Sequence, residues 1–439
     1  MPDKISGLDR RELLAGLAAT ALGQSAPRLA SARGRNGVAL EATELAIAIG
    51  SGQPEIPIWV LRSSPPEPAV RLMKGDELEI AIQNNLPVPA VLNWRGVDGA
   101  RLTEPLLVRP PLPPGAKESQ VTPLRQAGTF LWDLQLLGDG MARPLPALPL
   151  IVAESEPVAV DRDEVFLIEE WRLRPDGTPI APGIEPNGAP PLYTVNGRLT
   201  RDVTARAHER LRFRFINGCQ RTVIALKIED LEVRVMALDG EPAEPFLARN
   251  GAMVLPPGGR VDAFVDASAL PGATPILLHN GQEARPIGQL VVADQSPLRD
   301  TPLPLAPALP SNGLPGKLDL KSAQRFDVTL GGAKSGWIRP AKVALSAPPA
   351  FRAKLGRPVV LGLSNPGEKP TIFHLHGHHF RLLDRFDDGW KPYWLDTIAI
   401  ESGQTQRIAF AADHAGSWLI ESVATDWAAP RLVRWYSVE

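Results

Sequence analysis

Gly75-Asp-Glu-Leu-Glu-Ile-Ala-Ile-Gln-Asn84 alternates polar and apolar side chains and closes on an asparagine. Alternation at period two marks a strand with one buried and one solvated face. The pattern returns at Leu211-Arg-Phe-Arg-Phe-Ile-Asn217 and at Pro358-Val-Val-Leu-Gly-Leu-Ser-Asn365. A second pattern follows each copy: a turn glycine, a strand, another glycine and a further strand. It runs from Pro-Pro-Gly115 to Gly128-Thr-Phe, from Pro-Pro-Gly258 to Gly272, and from Ser-Gly403 to Gly416-Ser-Trp, with Gly-to-Gly spacings of 13, 14 and 13. The copies recur about every 145 residues, so the chain divides into three homologous all-β domains.

Composition agrees. The 46 Pro and 38 Gly are spread along all 439 residues, which suits short strands joined by turns and disfavours long helices. The hydrophobic fraction of 44% lets each domain bury a core, and the net charge of -2 without a Lys/Arg run excludes a nucleic-acid partner. The expected boundaries are residues 40–158, 159–296 and 317–439. Residues 297–316 form a Pro-rich linker, expected to be extended and to cross a surface.

Residues 1–32 have the layout of a signal peptide. Arg10-Arg11 precede a short apolar run, Leu13 to Leu22, and Ala30-Ser31-Ala32 offers a cleavage site. The paired arginines resemble a twin-arginine signal, which implies the twin-arginine export machinery as a partner and the periplasm as destination. No later apolar stretch reaches the roughly 18 residues of a transmembrane span. The lone Cys219 excludes an intrachain disulfide and reads as a small buried hydrophobe.

The repeats resemble the cupredoxin domains of the multicopper oxidase family, which are Greek-key β-sandwiches. Arg71-Leu-Met-Lys-Gly-Asp76 through Asn84-Asn-Leu-Pro87 is similar to the family's first-domain strand. Asn93-Trp-Arg-Gly96 stands where the family has His-Trp-His-Gly. Gly128-Thr-Phe-Leu-Trp-Asp-Leu-Gln135 stands where it has Gly-Thr-Phe-Trp-Tyr-His-Ser-His. Phe373-His-Leu-His-Gly-His378 matches a third motif, and Gly416-Ser-Trp-Leu-Ile-Glu-Ser-Val423 stands where the family ends in His-Cys-His. The resemblance implies three tandem cupredoxin-like domains with copper sites in the first and third. Residues i and i+2 of a strand share a face, so each His-x-His pair offers two imidazoles to one cluster.

Here those pairs read Asn93/Arg95, Asp133/Gln135, His374/His376 and Glu421/Val423. Ser422 holds the position of the blue-copper cysteine and Thr371 that of a blue-copper histidine. A full complement takes roughly ten His and one Cys, whereas the chain has 7 His and 1 Cys. Of the degenerate copper positions, only His374 and His376 keep their residue type. They are the candidate metal ligands, with Asp133 and Glu421 as possible carboxylate partners.

The expectation is a substituted polar core in which Arg95 pairs with Asp133 or Glu421. The alternative is one residual ion, copper or zinc, at His374 and His376. His378 reads as structural, while the facing of His379 stays open. Asp384, Asp387 and Asp388 read as a solvated turn. No serine-nucleophile elbow or phosphate-binding loop occurs, so no catalytic residue is assigned.

The resemblance extends to copper-free family members that support cell division. The expected function is therefore that of a non-enzymatic periplasmic scaffold with an envelope protein partner. The alternative is an oxidoreductase or metal-binding protein built on the residual histidines.

Overall fold

The structure is a computed structural model and describes residues 35–48, 55–331, 335–384, 389 and 391–439. The signal-peptide reading of residues 1–32 and the positions Asp387 and Asp388 lie outside the described residues.

Six sheets form three face-to-face pairs, and each repeated strand lies inside the first sheet of its pair. Glu77–Asn84 runs parallel to Arg35–Ile47 and antiparallel to Lys117–Pro123. Arg210–Asn217 is likewise flanked by Arg162–Arg172 and Arg260–Asp266. Pro358–Ser364 is flanked by Gln324–Thr329 and Thr405–Ala411. The turn glycines Gly115, Gly258 and Gly403 take φ of 75°, 84° and 68°, a region that residues with a Cβ seldom enter.

The strand-ending asparagines explain why the pattern closes as it does. Asn84, Asn217 and Asn365 are all buried. Each Nδ2 donates to two carbonyls: Val88 and Leu112, Thr222 and Leu255, Lys369 and Ile400. Each Oδ1 accepts the N–H two residues on, from Leu86, Cys219 and Gly367. A short amide side chain thus satisfies the backbone where the chain leaves the sheet.

Each sandwich has its own apolar core. Trp94, Phe130 and Trp132 centre the first, Phe166, Phe213 and Phe215 the second, and Phe351, Phe410 and Tyr436 the third. Smaller clusters join the sandwiches. Leu131 and Ile151 pack on Val165 and Ile216, and Val91 and Leu136 pack on Leu419 and Trp435.

The linker does not simply cross a surface. It carries no strand between 297 and 316, yet Leu309 is buried against Met236 and Phe264. The Asn312 amide donates to the Ala127 carbonyl at 2.8 Å and accepts the Ala127 N–H at 2.9 Å. Proline removes backbone donors, so side chains do much of the fastening. Arg210 donates to the carbonyls of Leu303 and Pro304.

Candidate functional site

Two short inner strands bring the first and third domains together. Asn93–Arg95 pairs with Gly128–Asp133, which sets Asn93 opposite Asp133. Thr371–Leu375 pairs with Gly416–Ala424, which sets His374 opposite Glu421.

The convergence expected from sequence is largely present. Arg95 Nε donates to Asp133 Oδ2 at 2.8 Å, and Arg95 Nη2 lies 3.1 Å from Glu421 Oε1. Asn93 Nδ2 lies 3.4 Å from both oxygens of Asp133. His376 Nε2 is 3.1 Å from Glu421 Oε1, and its Nδ1 is 3.1 Å from Glu104 Oε1. The His374 and His376 rings lie 4.8 Å apart. Arg431 closes the cluster with a second guanidinium on Glu421 Oε2.

Of the other sequence-predicted positions, Thr371 and Ser422 turn away, while Gln135 lines the same small cavity as Arg95, His374 and Glu421. Gln135 gives its N–H to Asp133 and its amide to the Leu145 carbonyl. Thr371 bonds Asn365 Oδ1 and the Lys369 carbonyl. Ser422 lies opposite Phe373 and points to the face opposite Glu421 and Val423. Val423 reaches the site as an apolar wall of a cavity of about 20 Å³, which His374, Glu421, Arg95 and Arg431 also line; that volume holds about one water.

The charges follow from burial and partners. Burial disfavours the charged forms of Arg95 and Glu421, but their attraction overcomes it. Glu421 is thereby held well below the carboxylate range by Arg95 and Arg431, and Arg95 is raised by Glu421 and Asp133. His376 is likewise buried, yet Glu104 and Glu421 raise it to about 9, so it carries a proton on each ring nitrogen at neutral pH. Burial and the Arg95 charge push His374 down to about 4. Its Nδ1 sits 2.8 Å from Thr397 Oγ1 and 3.1 Å from the Asp396 carbonyl.

Sequence reasoning missed Glu104 and Arg431. Neither falls in a repeat or a His-x-His position; Glu104 arrives from the loop after Asn93–Arg95, and Arg431 from the loop that joins Gly416–Ala424 to Leu432–Val438. The expectation for His378 as a structural residue holds. The Tyr436 hydroxyl donates to the His376 carbonyl, so His378 Nδ1 donates to that hydroxyl at 2.7 Å, and its Nε2 accepts the His414 N–H. His379 faces a different polar cluster, with Asp98 at 2.8 Å from Nδ1 and the Asp239 carbonyl at 2.9 Å from Nε2. Cys219 is buried, with Sγ 3.8 Å from the Ile168 carbonyl.

Three paired-sheet sandwiches with polar side chains converging between the first and the third define a cupredoxin-type assembly. The chain belongs to the multicopper oxidase family: profiles described as multicopper oxidase match residues 46–142, 163–284 and 317–439. It is 24% identical over 431 residues to the multicopper oxidase MmcO of Mycobacterium tuberculosis, covering 85% of this chain and 81% of that protein. Laccase-1 of Cryptococcus neoformans var. grubii is 24% identical over 251 residues, but those cover only 48% of this chain and 39% of the laccase. The crystal structure of a multi-copper oxidase from Pseudomonas thermotolerans superposes with a TM-score of 0.79 at 23% identity, covering 93% of this chain and all of that one. Among the described residues no helix is long and apolar enough to cross a membrane.

Proposed function

We propose that this protein is a copper-depleted member of its family that acts by binding, as a rigid exported scaffold of the bacterial envelope. The observation that carries this reading is Glu421, buried beneath the guanidinium groups of Arg95 and Arg431. A copper cluster needs several neutral imidazoles around one point. Here three cationic groups, Arg95, Arg431 and His376, face Asp133, Glu421 and Glu104 at the convergence. A fixed positive charge repels a metal cation, and arginine stays protonated in proteins. His376 has both ring nitrogens engaged with carboxylates. The donor set does not fit a trinuclear copper centre, so no oxidase step is assigned.

On this reading the charge network locks the first domain to the third. The resulting rigid surface would serve an envelope protein partner, in the manner of copper-free cell-division members of the family. The segment 1–32 would route the folded chain through the twin-arginine machinery. Purification of the untagged native protein tests the proposal. The expected sample is colourless, holds less than one copper per chain and oxidises neither phenols nor Cu(I). Several coppers per chain with dioxygen consumption would overturn it. Retention of the R10K/R11K double variant in the cytoplasm is the expected outcome for the export route.

A second reading rests on one specific observation: donor atoms of His374, His376 and Glu421 lie within 4.8 Å of one another. A single ion could replace the proton on His376 Nε2. Metal analysis of H376Q beside the parent separates the readings, since only a residual site loses its ion.

A further inference from the structure

A second group of possible ligands stands where all three domains meet. Asp98 follows the inner strand of the first domain, Glu241 opens the strand Glu241–Leu247 of the second, and His379 follows the histidine-bearing strand of the third. Ligand atoms of the three lie within 4.8 Å of one another.

The supporting shell is densely hydrogen-bonded. Asp239 and Gly240 form the turn before Glu241, with φ of 49° and 87°. The Asp239 carboxylate accepts N–H bonds from Arg260, Asp396 and Thr397, which holds that turn from two domains. Its carbonyl accepts the His379 Nε2–H at 2.9 Å. This contact fixes the roles of the two ring nitrogens: Nε2 is taken by the carbonyl, and Nδ1 faces Asp98 Oδ1 at 2.8 Å, where an ion would take the place of its proton. A metal-binding imidazole is usually oriented by such a bond from its other nitrogen to a carbonyl. Gln126 donates to Glu241 Oε1 at 2.9 Å, and Asn312 of the linker lies 3.3 Å from the same oxygen.

One atom is left over. Asp98 Oδ2 is buried without a hydrogen-bond partner, on a side chain only 6% exposed. A buried, unpaired carboxylate oxygen is costly unless something positive meets it. Among the described residues no arginine or lysine pairs with Asp98 or Glu241, in contrast with the cluster around Glu421. The shell thus presents one imidazole nitrogen and two carboxylates, with negative charge that the protein's own cations do not fully answer.

We propose that Asp98, Glu241 and His379 bind a divalent transition-metal ion, zinc by the character of its donors, and that this ion clamps the three domains together. Imidazole nitrogen and carboxylate oxygen are both ligand types that zinc takes, and three protein ligands leave a fourth position for water. The proposal is independent of the copper-free reading, because none of these residues occupies a former copper position.

The experiment uses the full mature chain, stripped with chelator and titrated with zinc chloride by calorimetry and by metal analysis after desalting. One zinc per chain is expected, with a rise in melting temperature. D98N and E241Q are expected to weaken binding at least tenfold while keeping the parent's circular dichroism spectrum. H374N, in the neighbouring cluster, is expected to bind zinc as the parent does. No zinc uptake by the parent would overturn the proposal. So would unchanged affinity in folded E241Q, or a loss of zinc in H374N alone. If D98N and E241Q fail to fold, H379Q provides the same comparison, and its undiminished zinc binding would equally overturn the assignment.

Discussion

Glu421 and Glu241 are both buried glutamates, 1% and 2% exposed, and both stand where domains meet. Their acidities nevertheless diverge. Glu421 faces Arg95 and Arg431 and is held well below the usual carboxylate range against the penalty of burial. Among the described residues Glu241 faces His379 and neutral amides, with the Asp98 charge nearby, and burial pushes it up to about 7. Burial alone therefore does not set the charge of a domain junction; the presence of a guanidinium does. The first junction is self-sufficient, and at the second no guanidinium among the described residues answers the carboxylates.

The largest test of this contrast is E421Q. It leaves Arg95, Arg431 and His376 buried with one carboxylate fewer. Breaking a buried ion pair from one side costs about 3–5 kcal/mol, so the urea midpoint at pH 7 should fall sharply. A loss under about 1 kcal/mol would show that the network does not lock the domains.

E241Q is the reciprocal experiment, made in metal-free buffer. A carboxyl whose folded pKa lies above its unfolded value binds more protons when folded. Its contribution is therefore complete below about 4.5 and is lost as pH rises through about 7. That interval caps the loss at about 3 kcal/mol. E241Q has no such proton to release. It should match the parent near pH 5 and exceed its stability at pH 8. Equal stability at both values would place Glu241 in a wetter setting than its burial suggests.

A second pH-dependent effect belongs to Asp98. Its partner His379 is raised to about 10, burial opposing and Asp98 dominating. Stability from this pair is complete below the unfolded histidine value of 6.5 and is lost as pH rises through about 10. D98N should remove most of that decline between pH 8 and 10, and the interval from neutrality to about 10 caps its cost at about 4 kcal/mol. Denaturant melts at three pH values decide it.

The two junctions also differ in how far the sequence exposes them. The strand alternation and its closing asparagines are local, so the three sandwiches are legible in the residue pattern around Asn84, Asn217 and Asn365. The pairing of Arg95 with Asp133 and Glu421 is legible too, because a buried charge on a shared strand face demands a partner. Glu104 and Arg431 are not, since loops deliver them and loops carry no period. The Asp98 cluster is less legible still. Each member comes from a different domain, and only tertiary packing makes neighbours of residues 98, 241 and 379. Asn312 shows the same limit: a linker rich in proline reads as a spacer, yet one of its side chains is a plug.

That plug offers the mildest test. Asn312 bonds both backbone groups of Ala127 and donates toward Glu241, but it is only part-buried, so water can replace part of what N312A removes. The expected cost is about 1 kcal/mol near pH 5. The more telling readout is the Glu241 titration. Asn312 contributes one of two amide donors that favour the charged form. Without it the Glu241 carboxyl holds its proton more tightly, so N312A should extend the pH-dependent loss of stability to higher pH. An unmoved profile would mean that Gln126 alone sets the polarity of the second junction, and that the linker ties the domains together without tuning the charge between them.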